Sequence, residues 1–192
     1  MIFTYLKQPL RRYTFEAPKI RAWVEEKCRD KTVLNLFAGP TRLSDCTEIS
    51  NDLDNFTKPE KGETPKPIIT TYHMDALDCV KMLVAQGLKV QRVVIDPPYS
   101  YRKSMEMYNG NRNSRFKQIC DVIPDLLTSD GLVITFGYHS RVMSGKRGFQ
   151  TREICLISHG GAQRDTFVAV EGKLCGDTIA TVEERIGRGE QP

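Results

Sequence analysis

The sequence predicts an α/β three-layer sandwich with a mostly parallel, seven-stranded sheet and an antiparallel edge strand. Up to about residue 136, short apolar runs rich in β-branched residues alternate with segments of helical spacing. This alternation favours parallel strands joined by crossover helices. The last two apolar runs, 153–158 and 166–170, instead follow one another across Gly160 and Gly161. Such a glycine-containing link is typical of an antiparallel pair, which we expect at the edge of the sheet.

The individual elements follow from hydrophobic periodicity and from the positions of proline and glycine. In the first helix, for example, Ile20, Trp23 and Val24 recur at helical spacing behind Pro18, a favourable first-turn residue. The predicted helices are 18–28, 75–87 and 115–127, and the predicted strands are 32–37, 45–50, 68–72, 90–95, 131–136, 153–158 and 166–170. Together they form a Rossmann-like sheet, in which ligands bind beyond the carboxyl ends of the strands.

Three segments are predicted to lie outside these packed elements. Residues 58–67 are rich in Lys, Glu, Gly, Thr and Pro, which indicates an exposed loop. Residues 100–114 are polar and basic, and we expect them to form a mobile loop over the site. The tail 176–192 is expected to be flexible, as chain termini often are. Because no repeat or linker interrupts the 192 residues, we expect a single domain spanning 1–192.

The composition is that of a globular protein. Hydrophobic residues make up 40% and charged residues 27%, and no apolar run approaches the roughly 20 residues that span a membrane. Residues 1–12 lack the apolar core and cleavage site of a signal peptide, so we expect a cytoplasmic protein. The six cysteines include no Cys-x-x-Cys pair, and the three histidines have no ligand-like spacing. We therefore expect no metal site.

The stretch Asp96-Pro97-Pro98-Tyr99 follows the apolar strand 90–95 directly. The two prolines end that strand because they cannot donate ladder hydrogen bonds. The Asp96 carboxylate and the Pro97 carbonyl can both accept hydrogen bonds from one external amine. Tyr99 can then stack on a planar ring that carries the amine. The alternative interpretation is a proline turn that only ends the strand, with Asp96 capping the next element.

Three acidic residues, Asp52, Asp75 and Asp96, follow successive predicted strands. Because these strand ends lie side by side, we expect the three acids around one ligand site. An acid after the second strand commonly accepts hydrogen bonds from ribose hydroxyls, and Asp54 is the alternative for that role. The turn after the first strand contains only Gly39, so it lacks the Gly-x-Gly-x-x-Gly pattern of dinucleotide sites. A nucleoside cofactor without phosphates, such as S-adenosylmethionine, needs only one close backbone approach.

Several stretches resemble, in order, the motifs of class I S-adenosylmethionine-dependent methyltransferases of the Asp-Pro-Pro-Tyr type, which act on exocyclic amines of nucleobases. These stretches are Asn35-Leu36-Phe37-Ala38-Gly39, the acid Asp52, Asp75-Ala76-Leu77 and Asp96-Pro97-Pro98-Tyr99. Further stretches are similar to small phage-type and archaeal adenine-specific DNA methyltransferases, namely 15–19, 23–26, 51–53, 145–149 and 159–162. The resemblance covers roughly residues 13–173.

The resemblance implies methyl transfer from S-adenosylmethionine to the N6 amine of adenine in DNA. It implies that a base flipped out of its stack is held by four catalytic residues, Asp96, Pro97, Pro98 and Tyr99. The residues implied for cofactor binding are Phe15, Asn35, Phe37, Ala38, Gly39, Asp52, Asp75, Ala76 and Asp96. The chain departs from the family pattern where Asn35 replaces an acid and Thr41 replaces a glycine. No separate target-recognition domain follows the Asp96 stretch.

Basic residues form two groups on the C-terminal side of Asp96, in a chain with a formal net charge of +4. They indicate either a phosphate-binding surface or a pair of solvated loops. The residues we expect to contact nucleic acid are Arg102, Lys103, Arg112, Arg115, Arg141, Lys146 and Arg147. DNA is the expected partner, and RNA stays open. Two alternatives remain: transfer to the N2 amine of guanine in rRNA, and a catalytically silent fold that binds only cofactor or nucleic acid.

Overall fold

The computed structural model describes residues 1–59, 62–97, 115–161 and 163–174. Within them the strands are β1 (Ile2–Lys7), β2 (Thr32–Asn35), β3 (Thr47–Ser50), β4 (Val90–Ile95), β5 (Leu127–Gly137), β6 (Phe149–Ser158) and β7 (Thr166–Lys173). The helices are α1 (Pro18–Cys28), α2 (Ala76–Ala85) and α3 (Phe116–Leu126), with short 3₁₀ turns at Thr14–Glu16 and Gly145–Arg147. The predictions for Pro98, Tyr99, Arg102, Lys103, Arg112, the loop 100–114 and the tail 176–192 lie outside the described residues.

The seven strands form one sheet in the order β1-β6-β7-β5-β4-β2-β3. All neighbours pair in parallel except β7, which is antiparallel to both β5 and β6. The predicted fold class is confirmed, including the antiparallel pair formed by the last two strands. The antiparallel strand lies inside the sheet because β1, to which the sequence analysis assigned no element, pairs in parallel with β6 and takes the edge.

Helices cover both faces of the sheet and give it three layers. In β4, Val93 packs in the core cluster that contains the buried residues of α2 and α3, whereas its neighbour Val94 packs in the cluster that contains those of α1. Successive side chains of a strand point to opposite faces, so the part of a strand that is covered on both sides is apolar at consecutive positions. In β4 this part is Val93, Val94 and Ile95, whereas Gln91 and Arg92 before it are only half-buried. None of the helices described is long and apolar enough to cross a membrane.

The predicted strand 68–72 is wrong in extent, because the structure reduces it to a single bridge between Asn51 and Tyr72. Side chains replace the expected ladder beside β3. The amide of Ser50 donates to the hydroxyl of Thr71 at 3.1 Å, and the amide of Thr71 donates to the hydroxyl of Ser50 at 3.1 Å. Serine and threonine can satisfy neighbouring backbone groups in this way and so compete with regular secondary structure.

Residues 8–17, here called the crossing segment, connect β1 to α1 along the carboxyl edge of the sheet. Its start is held by Gln8, whose amide donates to the carbonyl of Ser158 at 2.9 Å. The side-chain oxygen of Gln8 accepts from the amide of Lys19 at 3.3 Å. His159 Nδ1 lies 2.9 Å from the Gln8 carbonyl, which only accepts hydrogen bonds, so Nδ1 is the donor. The segment is therefore tied at its first residue to both β6 and α1.

Candidate functional site

The carboxyl ends of β2, β3 and β4 surround a cavity of about 100 Å³. Three carboxylates line it, from Asp52 and Asp54 after β3 and from Asp96 after β4, and we call it the acidic cavity. The remaining lining residues are Arg12, Tyr13, Thr14, Phe15, Phe37, Ala38, Gly39, Thr41, Phe56, Thr57, Lys58, Ile68 and Pro97. The structure thus brings together seven of the predicted site residues, namely Phe15, Phe37, Ala38, Gly39, Asp52, Asp96 and Pro97.

The turn after β2 owes its shape to Gly39. Gly39 has φ +57°, a left-handed conformation that residues with a Cβ adopt only with strain. Its amide donates to Asp52 Oδ2 at 2.8 Å, and the Ala38 amide donates to the Asn51 carbonyl at 3.1 Å. A Cβ at Gly39 would lie 3.4 Å from Tyr13 Cδ1, an ordinary van der Waals distance. Backbone conformation, and not lack of space, is therefore what requires glycine here.

We expect Gly39→Ala to lower the free energy of unfolding by about 1–2 kcal/mol through left-handed strain. Gly87→Ala is the matched control, because Gly87 has φ +71° and open space around its Cβ position. Both variants should lose similar stability in denaturant titrations. Only Gly39→Ala should also weaken binding of a ligand in the acidic cavity, as measured by calorimetry. Equal ligand affinity in the two variants would contradict a role for this turn in binding.

Asp52 lines the acidic cavity and stabilises two backbone turns beside it. It is 3% exposed, and its two carboxylate oxygens accept from the Gly39 amide at 2.8 Å and the Asp54 amide at 2.9 Å. Each carboxylate oxygen has a second lone pair, so Asp52 can still accept from ligand hydroxyls while it holds the two turns. One residue thus sets the shape of the cavity and supplies acceptors to it.

Asp54 is the second acid of the cavity, and its pKa is raised above the ordinary value. The first cause is burial, which penalises the charged form, and the second is repulsion from the Asp52 carboxylate, while Lys58 acts in the opposite direction. Because the folded protein binds this proton more tightly than the unfolded chain, ionised Asp54 lowers stability once the pH rises above the folded pKa. With three carboxylates and two cationic residues, Arg12 and Lys58, in its lining, the cavity favours hydrogen-bond donors or positive charge near Asp54.

Asp54→Asn should therefore raise the thermal midpoint at pH 7 relative to the parent. The gain should shrink as the pH falls through the ordinary Asp value of 3.8, because the parent carboxyl is then protonated in both the folded and unfolded states. Melting curves at neutral and acidic pH test this. Asp125→Asn, at an exposed position of α3, is the control and should show no such pH-dependent gain. A loss of stability at pH 7 in Asp54→Asn would contradict the electrostatic argument.

Aromatic side chains form the apolar walls of the acidic cavity. Phe15 is 3% exposed and packs edge-on against Phe136, with ring centroids 5.7 Å apart and an interplanar angle of 83°. Phe37 and Phe56 add two further aromatic faces. Burial is the main cause of the raised pKa of Tyr13, which keeps this phenol neutral. A planar ring with polar substituents on one side matches such a combination of aromatic walls and carboxylates.

Three residues predicted to bind cofactor, Asn35, Asp75 and Ala76, do not line the acidic cavity. Asn35 is fully buried and donates to Glu48 Oε1 at 2.9 Å. The Asp75 carboxylate caps α2 by accepting from the Leu77 amide at 2.9 Å, a local role that its position before a helix could also have indicated. Their predicted roles toward a cofactor stay predictions.

Four of the basic residues predicted to contact nucleic acid lie within the described residues, and none of them lines the acidic cavity. Arg115 Nη1 lies 3.4 Å from carboxylates of both Asp75 and Asp78. Arg147 pairs with Asp121 of α3 at 2.7 Å. Arg141 and Lys146 are exposed. Their contact with nucleic acid stays a prediction.

Sequence reasoning missed Arg42, which stabilises the glycine turn through hydrogen bonds to its backbone carbonyls. Its guanidinium donates to the carbonyls of Gly39 at 3.1 Å and Thr41 at 2.6 Å, and also to the carbonyl of Ile69. Burial lowers the pKa of Arg42. The acceptors are backbone carbonyls, one of them distant in sequence, so no residue pattern could have identified this role.

Metal-ligating side chains do not cluster in the described part of the chain. No group of three or more His, Cys, Asp or Glu side chains there has the arrangement needed to hold a metal ion. Asp52, one of the acids of the cavity, instead accepts hydrogen bonds from two backbone amides.

Comparison with known proteins bears on the fold. No protein-family profile matches the chain, and no curated protein matches it. Among solved structures, it is similar to SMU.776, classed as a methyltransferase and complexed with SAH, with a TM-score of 0.56 and 14% identity over 80% of this chain. It is also similar to a protein from Streptococcus mutans classed as a SAM-dependent methyltransferase, with a TM-score of 0.55 and 15% identity over 80% of this chain. The chain covers 48% of each, so it spans about half their length. At this identity the likeness shows a shared fold.

Proposed function

We propose that the chain transfers a methyl group from S-adenosylmethionine to the exocyclic N6 amine of adenine in DNA. The observation that carries the proposal is the position of Asp96 and Pro97, which line the same cavity as Gly39 and Asp52. Acceptors suited to an amine thus border a site suited to a nucleoside. The fold shared with proteins classed as SAM-dependent methyltransferases supports the choice of cofactor.

The groups that line the acidic cavity suit this cofactor. Asp52 and Asp54 offer acceptors for ribose hydroxyls, and aromatic walls including Phe15 and Phe37 suit an adenine ring. Three carboxylates outnumber the two cationic residues of the lining, Arg12 and Lys58, which favours a positively charged sulfonium over the phosphates of a dinucleotide. S-adenosylmethionine, when bound, supplies a methyl group activated by its sulfonium.

The residues after β4 orient the amine that accepts this methyl group. The Asp96 carboxylate and the Pro97 carbonyl would accept hydrogen bonds from the two N–H groups of the amine, which would leave the nitrogen lone pair available to the methyl carbon. Positive charge that develops on the nitrogen is stabilised by the same two acceptors. Because both reacting groups are held in one place, proximity contributes a large part of the acceleration. No covalent link to the protein is needed.

Methyl transfer from tritiated S-adenosylmethionine tests the proposal directly. The purified chain is incubated in parallel with DNA and with rRNA, and the nucleic acid is digested to nucleosides and separated. Label in N6-methyladenine from DNA is the expected result. Label in N2-methylguanine from rRNA would replace the proposed substrate with RNA. Cofactor binding by calorimetry without transfer to either would indicate a catalytically silent fold.

A further inference from the structure

A second cavity, of about 360 Å³, lies beside the first along the carboxyl edge of the sheet. It is built over the other strands, with Phe136 and Tyr138 at the end of β5, Ile157 and His159 at the end of β6, and Thr166 at the start of the antiparallel β7. Its volume falls in the range of small-ligand sites and is large enough for a group of nucleotide size. The proposed function involves only the acidic cavity and not this second one.

The crossing segment separates the two cavities. Arg12 and Thr14 line both, whereas Arg11 and Ala17 face only the second and Phe15 only the first. A ligand that spans the two cavities must therefore pass over this segment.

Charge is divided between the cavities. Arg11, Arg12, Arg164 and His159 line the second one, and no lining residue among those the structure describes carries a carboxylate, so we call it the basic cavity. Arg12 pairs with Glu63 at 3.1 Å, which leaves Arg11 and Arg164, both exposed, as its main positive charges. An acidic and a basic cavity side by side suit a cationic ligand in one and an anionic ligand in the other.

The polar and aromatic groups of the basic cavity match a nucleotide. Tyr138 is 42% exposed and lines the same cavity as Arg11 and Arg164. His159 Nε2 lies 2.9 Å from the Thr166 hydroxyl while its Nδ1 donates to the crossing segment, so the ring is fixed in place at the rim. Guanidinium groups bind phosphate oxygens with two parallel hydrogen bonds, and aromatic faces stack on bases of any sequence.

The strand order places Asp96 on the side of the acidic cavity that is nearest the basic cavity. β4, which ends at Asp96, lies between β5 of the basic cavity and β2 of the acidic cavity. An amine held by Asp96 would thus have the methyl donor on one side and the basic cavity on the other.

We propose that the basic cavity binds a phosphodiester group of the substrate strand, with Arg11 and Arg164 contacting phosphate oxygens and Tyr138 stacking on a neighbouring base. The strand then crosses residues 8–17 with its reacting nucleotide at Asp96. This inference rests on the proposed function for the identity of the strand. Arg11 and Arg164, the residues proposed to bind phosphate, belong to neither of the two groups of basic residues on the C-terminal side of Asp96.

Fluorescence anisotropy of a single-stranded oligodeoxynucleotide of about 12 nucleotides, without cofactor, tests the assignment. Arg11→Gln/Arg164→Gln should weaken binding about tenfold, because charge-assisted hydrogen bonds to phosphate are removed. The slope of log affinity against log salt should become shallower by about 0.7 for each phosphate of the single strand that is no longer neutralised. Tyr138→Ala should weaken binding while the salt slope stays unchanged, because stacking releases no counterions.

Two controls make the test specific. Arg29→Gln/Lys81→Gln removes the same charge at exposed positions outside both cavities and should bind as the parent does. An oligonucleotide with an uncharged methylphosphonate backbone should bind the parent and Arg11→Gln/Arg164→Gln equally. Parent-like affinity and slope in Arg11→Gln/Arg164→Gln, or an equal loss in the Arg29→Gln/Lys81→Gln control, would overturn the phosphate site.

Failure of this inference is distinguishable from failure of the proposed function. If the parent binds the strand through Arg11 and Arg164 but transfers no methyl group, the phosphate site stands and the proposed reaction falls. If the parent methylates DNA and Arg11→Gln/Arg164→Gln binds and methylates equally well, the reaction stands and the site falls. Arginine-dependent binding to an RNA strand of the same length, with none to DNA, supports the phosphate site and replaces DNA as the proposed substrate.

Discussion

Asp96→Ala is expected to reduce methyl transfer by at least a factor of about a hundred while cofactor binding stays near the parental value. In the proposed reaction the carboxylate at the end of β4 binds the amine that is methylated, and removing one group that stabilises developing charge typically costs about 10²–10³ in rate. Asp96→Asn keeps an oxygen acceptor without the charge and should fall between the parent and Asp96→Ala. Single-turnover rates with tritiated S-adenosylmethionine measure the effect.

Calorimetric titration of the same Asp96 variants separates catalysis from cofactor binding. Asp125→Ala, at an exposed position of α3, is a matched control that should change neither quantity. A parental rate in Asp96→Ala would remove this residue from the reaction. A loss of cofactor affinity as large as the loss of rate would instead assign Asp96 to the cofactor.

Asp52→Ala is expected to produce the largest loss of cofactor affinity, about tenfold or more, because ribose hydroxyls lose a charged acceptor. The same change should also destabilise the protein, since the amides of Gly39 and Asp54 both lose their acceptor. An unsatisfied buried donor costs about 1–3 kcal/mol. Calorimetry for the cofactor and denaturant unfolding for stability give the two quantities.

Comparison with Asp54→Ala separates the two acids. Asp54 contributes its side chain to the cavity, but its hydrogen bond to Asp52 comes from its backbone amide, which alanine keeps. Asp54→Ala should therefore leave the turn intact. If Asp52→Ala loses stability but binds cofactor as tightly as the parent, the ribose acceptor is Asp54, and Asp52 only shapes the site.

Those parts of the fold that depend on local patterns could be predicted from the sequence. α1 begins at Pro18 as proposed, and β4 ends at Ile95 before the prolines. β1 could not be predicted in this way, because Ile2, Phe3 and Tyr5 are all well exposed and show no apolar and polar alternation. Only its pairing with β6, far along the chain, makes these residues a strand.

The same distinction applies to the residues of the candidate site, some of which could be predicted from local sequence patterns and some of which could not. Gly39, Asp52 and Asp96 lie within a few residues of the ends of β2, β3 and β4, and the rule that parallel strands end at one edge was enough to bring them together. Arg11 and Arg164 reach the basic cavity from segments that are neither close in sequence nor part of a recognisable motif. Their proximity depends on the paths of the crossing segment and of the turn between β6 and β7. Hydrophobic periodicity in the sequence does not predict either path.

The parallel pairing of β1 with β6 also has a consequence for synthesis on the ribosome. Ile2 pairs with Glu153, so β1 has no partner on the ribosome until synthesis has reached β6. At translation rates of roughly 5–20 residues per second, this wait lasts on the order of 10–30 s. Until then the crossing segment has neither Ser158 nor His159 to hold it. The segment between the two cavities is therefore held in place late, and a nascent chain that stops before β6 has the glycine turn without the boundary between the acidic and basic cavities.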